Sequence, residues 1–186
     1  MERNLSIDIL KVILAIAVVF LHTRIFYDLS TLLSHVFVQG IFRLAVPIFL
    51  VITGYYFFYI NSLQRYKTWL KRIFILYAVW MIFYLPIWWT QSLSYNFSVL
   101  YNGYYVLWYI QGVLLGGSVL YFCRNINAKK LFIGSLFLFL LGVILQQVGN
   151  LHLFQGQMDA ELNTYTVHRN FLLMSFPFLT LGFLLN

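Results

Sequence analysis

Charge is scarce in this chain. Only 9% of its 186 residues are Asp, Glu, Lys or Arg, against about 25% in an ordinary soluble domain. A water-facing surface cannot be assembled from so little charge, so a soluble globular protein is excluded. The acids are scarcer than the bases, five against twelve, which leaves a net charge of +7. That balance alone would suit nucleic acid, but the cations cluster in short loops between apolar runs, the pattern of membrane orientation. A single cysteine, Cys123, excludes an internal disulfide and reads as a small apolar filler. There is no Cys/His cluster for a metal, no Walker loop, no Gly-x-Ser-x-Gly elbow, no tandem repeat and no low-complexity tract. No loop is long enough to fold alone, so residues 1–186 are expected to form one membrane unit without a soluble domain.

What fills the chain is apolar. Hydrophobic residues make up 62% and aromatics 20%, with a mean hydropathy of +0.82. The expected fold is all-α, a polytopic transmembrane helical bundle with about six spans near 7–27, 36–60, 69–90, 104–122, 131–148 and 170–186. The first span reads as a retained helix and not a cleavable signal peptide. Asp8 and Lys11 interrupt its start, no small-x-small site follows Leu21, and further spans come after it. Arg65, Lys67, Lys71 and Arg72 lie between spans two and three or just beyond, and Arg124, Lys129 and Lys130 lie after span four. The loop 91–103 has no charge, and the loop 149–168 has Asp159 and Glu161 but no Lys or Arg. By the positive-inside rule the basic loops are cytoplasmic and the other two lie outside. Arg3 then places the N-terminus in the cytoplasm, and Arg24, on the outside, is an exception.

The stretch from Asp8 to His22 organises the rest. At 100° per residue the step of eleven from Lys11 to His22 is three turns plus about 20°, so both share one helix face. Asp8, three residues before Lys11, joins that side. Lys11 and His22 stand roughly 16 Å apart along the axis. An ion near a bilayer centre costs about 2.5–3.5 kcal/mol on insertion scales, so such a face turns towards protein or a wet cavity. In the expected topology Arg43 begins at the depth of His22, and Arg169 opens the sixth span from the same outer side. Pro47 should kink the second span, and Thr53-Gly54 allows close helix approach. Trp88-Trp89, Tyr104-Tyr105 and Trp108-Tyr109 read as interfacial anchors. Gly112 and Gly116 form a weak G-x-x-x-G packing signal.

Several of these segments, in order, resemble the membrane-bound acyltransferase family 3. Ser6-Ile7-Asp8-Ile9-Leu10-Lys11 followed by His22-Thr23 is similar to that family's D-x-(L/F)-(R/K) opening and its basic-x10-His motif. Residues Arg43 to Tyr55, reading RLAVPIFLVITGY, resemble its R-x-x-V-P-x-F-F-x-x-S-G-Y segment. Lys71-Arg72 resembles the basic pair opening the third helix, and Trp108-Tyr109 the W-(F/Y) of the fourth. Arg169-Asn170, then Phe178 and Gly182, resemble a later Arg-Asn…Phe…Gly segment. Lys11 stands where Arg is common, which keeps charge but loses the guanidinium fork, and Thr53 replaces Ser. The family bundle normally has more helices, so the chain is expected to be an incomplete version of one. The absent helices are lost, lie beyond this chain, or are replaced by a second copy in a homo-oligomer.

The resemblance implies an integral membrane O-acyltransferase in a bacterial inner membrane. Its donor co-substrate would be cytoplasmic acetyl-CoA or a similar acyl-CoA, with no metal. Its acceptor would be a hydroxyl of an envelope glycan, glycolipid or lipid-linked sugar, and membrane lipid would surround it. His22 would be general base or transient acyl carrier. Arg43 would stabilise the oxyanion or hold the acceptor, and Asp8 would position Lys11. Lys11, Lys71 and Arg72 would bind the donor's phosphates. Arg169, with Trp108 and Tyr109, would bind the acceptor. Plainer readings stand beside these. Asp8 suits a helix N-terminus, Arg43 and Arg169 can snorkel, and Lys71 and Arg72 can be orientation charges. His35, His152 and His168 read as surface residues. A transporter or channel explains intramembrane charge equally well, and a noncatalytic uptake or sensing domain fused to another enzyme is a third class.

Overall fold

The computed structural model describes residues 4–23 and 25–186. Arg3 and Arg24, used above for orientation, lie outside them. The described residues are helical without a strand. Helix α1, Leu5–Thr23, starts earlier than expected because the Asn4 side chain accepts from the amides of Ser6 and Ile7 at 3.1 and 3.3 Å, which satisfies two orphan donors of the first turn. Of its side chains only Leu14 is buried. Ile9, Val12, Ile13, Ile16 and Val19 face outward, as a hydrocarbon solvent permits.

Helix α2, Thr31–Phe57, is wound unevenly. His35–Gly40 is a π turn and Ile41–Leu44 a tighter 3-10 turn. Pro47 explains part of this. It has no N–H to offer the carbonyl of Arg43 four residues back, and its ring crowds that carbonyl. The expected kink thus appears as altered winding upstream of the proline, in the turn that carries Arg43. Gly40, with φ −102° and ψ −87°, absorbs the change.

Helix α3, Leu63–Phe83, corrects the third span. Ser62 caps it, accepting from the Arg65 amide at 3.3 Å, so Arg65 and Lys67 ride on helical turns and not in a loop, on the same helix as Lys71 and Arg72. It ends at Phe83, before the turn Leu85–Trp88 that contains Pro86. Trp88, expected at the interface, is buried, and its indole N–H donates to the Met81 carbonyl at 3.0 Å. The uncharged loop holds helix α4, Leu93–Asn102. Then come α5, Tyr105–Cys123, and α6, Ala128–Asn150. The acidic loop holds the short α7, Gln157–Leu162, and Phe171–Leu184 forms α8. Among the described residues four helices, α1, α2, α5 and α6, are long and apolar enough to cross a membrane. Helix α3 carries too many cations at its start to count with them, and α8 is shorter.

Helix α8 is the central element. Its Phe176, Leu179 and Phe183 share one core with Leu50 and Phe57 of α2, Tyr66 of α3, Val113 and Leu120 of α5, and Leu131 of α6. Two glycines let α2 and α8 touch backbone to backbone. A Cβ on Gly54 would strike the Leu179 carbonyl, and one on Gly182 would strike the Val51 carbonyl. The G-x-x-x-G of α5 works the same way on another side. A Cβ on Gly112 would overlap the Ser175 hydroxyl, and one on Gly116 would come within 3.1 Å of the Phe176 amide. Small residues at such crossings are the usual means of helix association in lipid.

Candidate functional site

One end of the bundle contains a cavity of about 1010 Å³. Five helices build it. Helix α1 contributes Ala15, Val18, Leu21 and His22; α2 contributes Val38, Gln39, Phe42, Arg43, Val46, Pro47 and Phe49; α5 contributes Tyr105, Val106, Trp108 and Tyr109. Phe139, Gly142, Val143 and Gln146 come from α6, and His168, Arg169, Leu173, Met174 and Phe178 from the start of α8 and the turn before it. The structure therefore brings His22, Arg43, Arg169, Trp108 and Tyr109 to one wall system. His22 and Arg43 are exposed, and Arg169, Trp108 and Tyr109 are half-buried.

Local structure aims these groups. Tyr105 opens α5 with φ +50°, a left-handed conformation that a bulky residue rarely adopts. Held there, its hydroxyl stands 3.5 Å from His22 Nδ1 and the two rings lie 5.6 Å apart. That leaves His22 Nε2 unengaged by Tyr105. Asn170 aims Arg169. Its side-chain oxygen accepts from the amides of Leu172 and Leu173, both at 2.9 Å, while its amide donates to the Val167 carbonyl at 2.9 Å. Arg169 is thereby fixed at the mouth of the π turn Phe171–Ser175, a winding often found at functional sites. Thr53, one turn beyond Phe49, links the Phe49 carbonyl at 2.8 Å to the Tyr109 hydroxyl at 3.5 Å.

The electrostatics of the cavity are one-sided. No Asp or Glu is among its lining residues, and neither arginine has an ion pair among the described residues. Burial, then the charge of Arg43, lowers the Arg169 guanidinium from its ordinary value. His168 is held below the usual imidazole range by burial and then by Arg169, and its Nδ1 is buried without a hydrogen-bond partner. His168 thus belongs to the cavity and is not the surface residue expected. His35 is exposed, and His152 is an exposed residue that pairs with Asp159 at 2.9 Å.

Asp8, Lys11, Lys71 and Arg72 do not line this cavity. Lys11 Nζ lies 3.5 Å from Asp8 and 4.8 Å from the Tyr56 ring centre, at the other end of the bundle. Cations gather there at the turn just beyond the C-terminus of α2, the end of the helix that favours positive charge. Arg65 donates to the Tyr59 carbonyl at 3.1 Å, and Arg124 donates to that of Ile60. Arg65 and Arg72, with Gln64, Thr68 and Trp69, line a small cleft of about 330 Å³, which Lys71 does not enter. Along α1, Ala15 lines the large cavity four residues after Lys11, roughly 6 Å of helical rise. Among the described residues no cluster of His, Cys, Asp or Glu could hold a metal ion.

Sequence reasoning missed Tyr105, Gln39, Gln146 and His168. Tyr105 was readable only as an interfacial aromatic, because nothing in its neighbourhood announces a positive φ. The glutamines carried a signal that went unused, being amides inside apolar spans.

A family model described as an acyltransferase domain matches residues 4–186. The chain is 32% identical to an amino-acid racemase of Enterococcus faecalis, over 76% of this chain and 23% of that protein. It is 24% identical to another amino-acid racemase of the same organism, over 97% of this chain and 28% of that one. A serine/alanine racemase of Enterococcus gallinarum is 29% identical over 76% and 23% respectively. The chain thus spans about a quarter of the length of these relatives. No solved structure matches it.

Proposed function

The chain belongs to the acyltransferase 3 family, and from that premise we propose that it transfers an acetyl or similar acyl group from cytoplasmic acyl-CoA to a hydroxyl of an envelope glycan or glycolipid. The observation that carries this is that His22, Arg43 and Arg169 line one cavity whose described lining holds no carboxylate. His22 Nε2 takes the proton of the acceptor hydroxyl. The freed oxygen attacks the thioester carbonyl and forms the C–O bond of a tetrahedral intermediate, which collapses with cleavage of the C–S bond. The leaving thiolate takes the proton back from His22. Arg43 or Arg169 stabilises the negative oxygen of the tetrahedral intermediate. Trp108 and Tyr109 offer flat faces to a sugar ring.

The donor would enter from the opposite end. Arg65 and Arg72, on the small cleft beside Trp69, join Lys11 as candidates for its phosphates, and Lys71 would act from further out. Asp8 would hold Lys11. A thin pantetheine arm would then run along α1 past Ala15 towards His22. The orientation follows from charge. The basic starts of α3 and α6 share the end of Lys11, and Asp159 and Glu161 lie in the connection before α8, so the N-terminus would be cytoplasmic; the bacterial inner membrane is implied by the family alone.

The names and lengths of the relatives favour a second reading, in which the bundle is the membrane part of a longer enzyme and takes up a small amino acid unchanged. Labelled acetyl-CoA separates the two. Membranes holding the chain should pass label to glycan, and His22→Ala should cut transfer by about 10²-fold or more while the protein stays in the membrane. Undiminished transfer in His22→Ala would remove the histidine from the chemistry. Vesicles that accumulate labelled serine with no covalent product would favour uptake.

A further inference from the structure

The cavity contains more positive charge than the transfer step requires. One cation suffices to stabilise an oxyanion, yet Arg43 and Arg169 both line the wall with no carboxylate among the described residues to offset them. We propose that the acceptor is itself anionic, a sugar-sized molecule whose carboxylate or phosphate is clamped by Arg43 and Arg169 while a neighbouring hydroxyl faces His22, each guanidinium having five N–H donors and so enough for one of them to reach the oxyanion as well. The hydroxyl half of this statement rests on the acyltransferase reading, and the anion half does not.

Three observations support it. Two like charges held together in a partly enclosed space are unfavourable until an anion joins them, and guanidiniums bind oxyanions through short, forked hydrogen bonds. Burial and the charge of Arg43 already lower the Arg169 guanidinium, so the protein maintains this arrangement against its own electrostatics. Next to Arg169, His168 also lines the wall, so this side of the cavity carries a second nitrogen-bearing side chain and no carboxylate. The rest of the wall fits a sugar. The volume, about 1010 Å³, is at the top of the range for small-molecule sites. Gln39 and Gln146 supply amides for ring hydroxyls, and Trp108 supplies an aromatic face.

The test is equilibrium binding to the chain in nanodiscs with no acyl donor present, so it reads independently of transfer. The probes are glucuronate, glucose 6-phosphate, neutral glucose and serine. At least one anionic sugar should bind tenfold or more tightly than glucose, and Arg43→Gln and Arg169→Gln should each remove that preference. Arg→Lys variants, checked for retained helicity, should keep part of it. Equal binding of glucose and both anions by the unaltered protein would overturn the proposal whether or not any variant folds. So would an anion preference that survives both Gln variants. Arginine-dependent binding of serine with none of either anionic sugar would overturn the sugar acceptor and support uptake. Label transfer to neutral glycan alone would sink the anionic acceptor and leave the acyltransferase reading standing. Arginine-dependent anion binding without any transfer in the full native protein would do the reverse.

Discussion

His168 shows how much one side chain is governed by its surroundings. Its imidazole is pulled below the usual value of about 6.5 by burial and by Arg169. In the unfolded chain it takes a proton as the pH falls through that value, while in the folded protein it stays neutral. The unfolded state then binds more protons, so stability is greatest above about pH 6.5 and is lost as the pH drops below it, levelling off under the folded value. The melting temperature in detergent should therefore fall between pH 7 and pH 5, and less steeply in His168→Gln. Equal slopes would show that other groups set the acid sensitivity. The histidine that sequence geometry singles out, His22, has other surroundings. It is exposed and has a Tyr105 hydroxyl at 3.5 Å from Nδ1, which suits a group that must meet a substrate.

At the scale of the element, α8 joins the core to the site. Asn170 starts it, the π turn follows, and Gly182 lies against Val51 near its far end. The glycine is required because α2 and α8 approach until a Cβ would occupy the place of a carbonyl oxygen. Gly182→Val should destabilise the bundle by about 1–3 kcal/mol, the range for overpacked cores, and lower its melting temperature. Gly134 of α6 has nothing within 4 Å of its would-be Cβ, so Gly134→Ala should leave the melting temperature unchanged or slightly raised. A tolerated valine at 182 would mean that the two helices do not meet this way. The third span teaches the complementary lesson. Its apolar run suggested a start near 69, but helix starts are set by caps, and Ser62 places this one at Leu63.

For the whole molecule, what matters is the separation of the two ends. The cavity with His22 lies at one end, and the cleft with Arg65 and Arg72 at the other. If the donor's phosphates bind at that cleft, changing both arginines to Gln should raise KM for acyl-CoA about tenfold or more, the loss expected when charge-assisted hydrogen bonds worth 1.5–3 kcal/mol are removed. KM for the acceptor should not change. An equal rise for both substrates would show that the two ends do not act separately. The outward faces of α1 and α6 are apolar along their lengths, which matches hydrocarbon on the outside and confines polar chemistry to the interior.

Much of this was legible in the residues. Scarce charge and long apolar runs dictate helices in a membrane, because a chain that cannot coat itself in charge must satisfy its backbone internally. The phase of Lys11 and His22 along α1 follows from helical periodicity alone, and a common depth for His22 and Arg43 follows from the topology that the loop charges imply. Only the tertiary structure decided which helices are neighbours, because apolar faces of this kind do not choose partners in lipid by hydrophobicity. They choose by shape, at Gly54, Gly112 and Gly182, and that choice brings Arg169 to Arg43 and draws His168 into the wall. It also sets Asp8 and Lys11 at the far end from His22, a distance that the single helix implied but whose meaning depends on what packs around it.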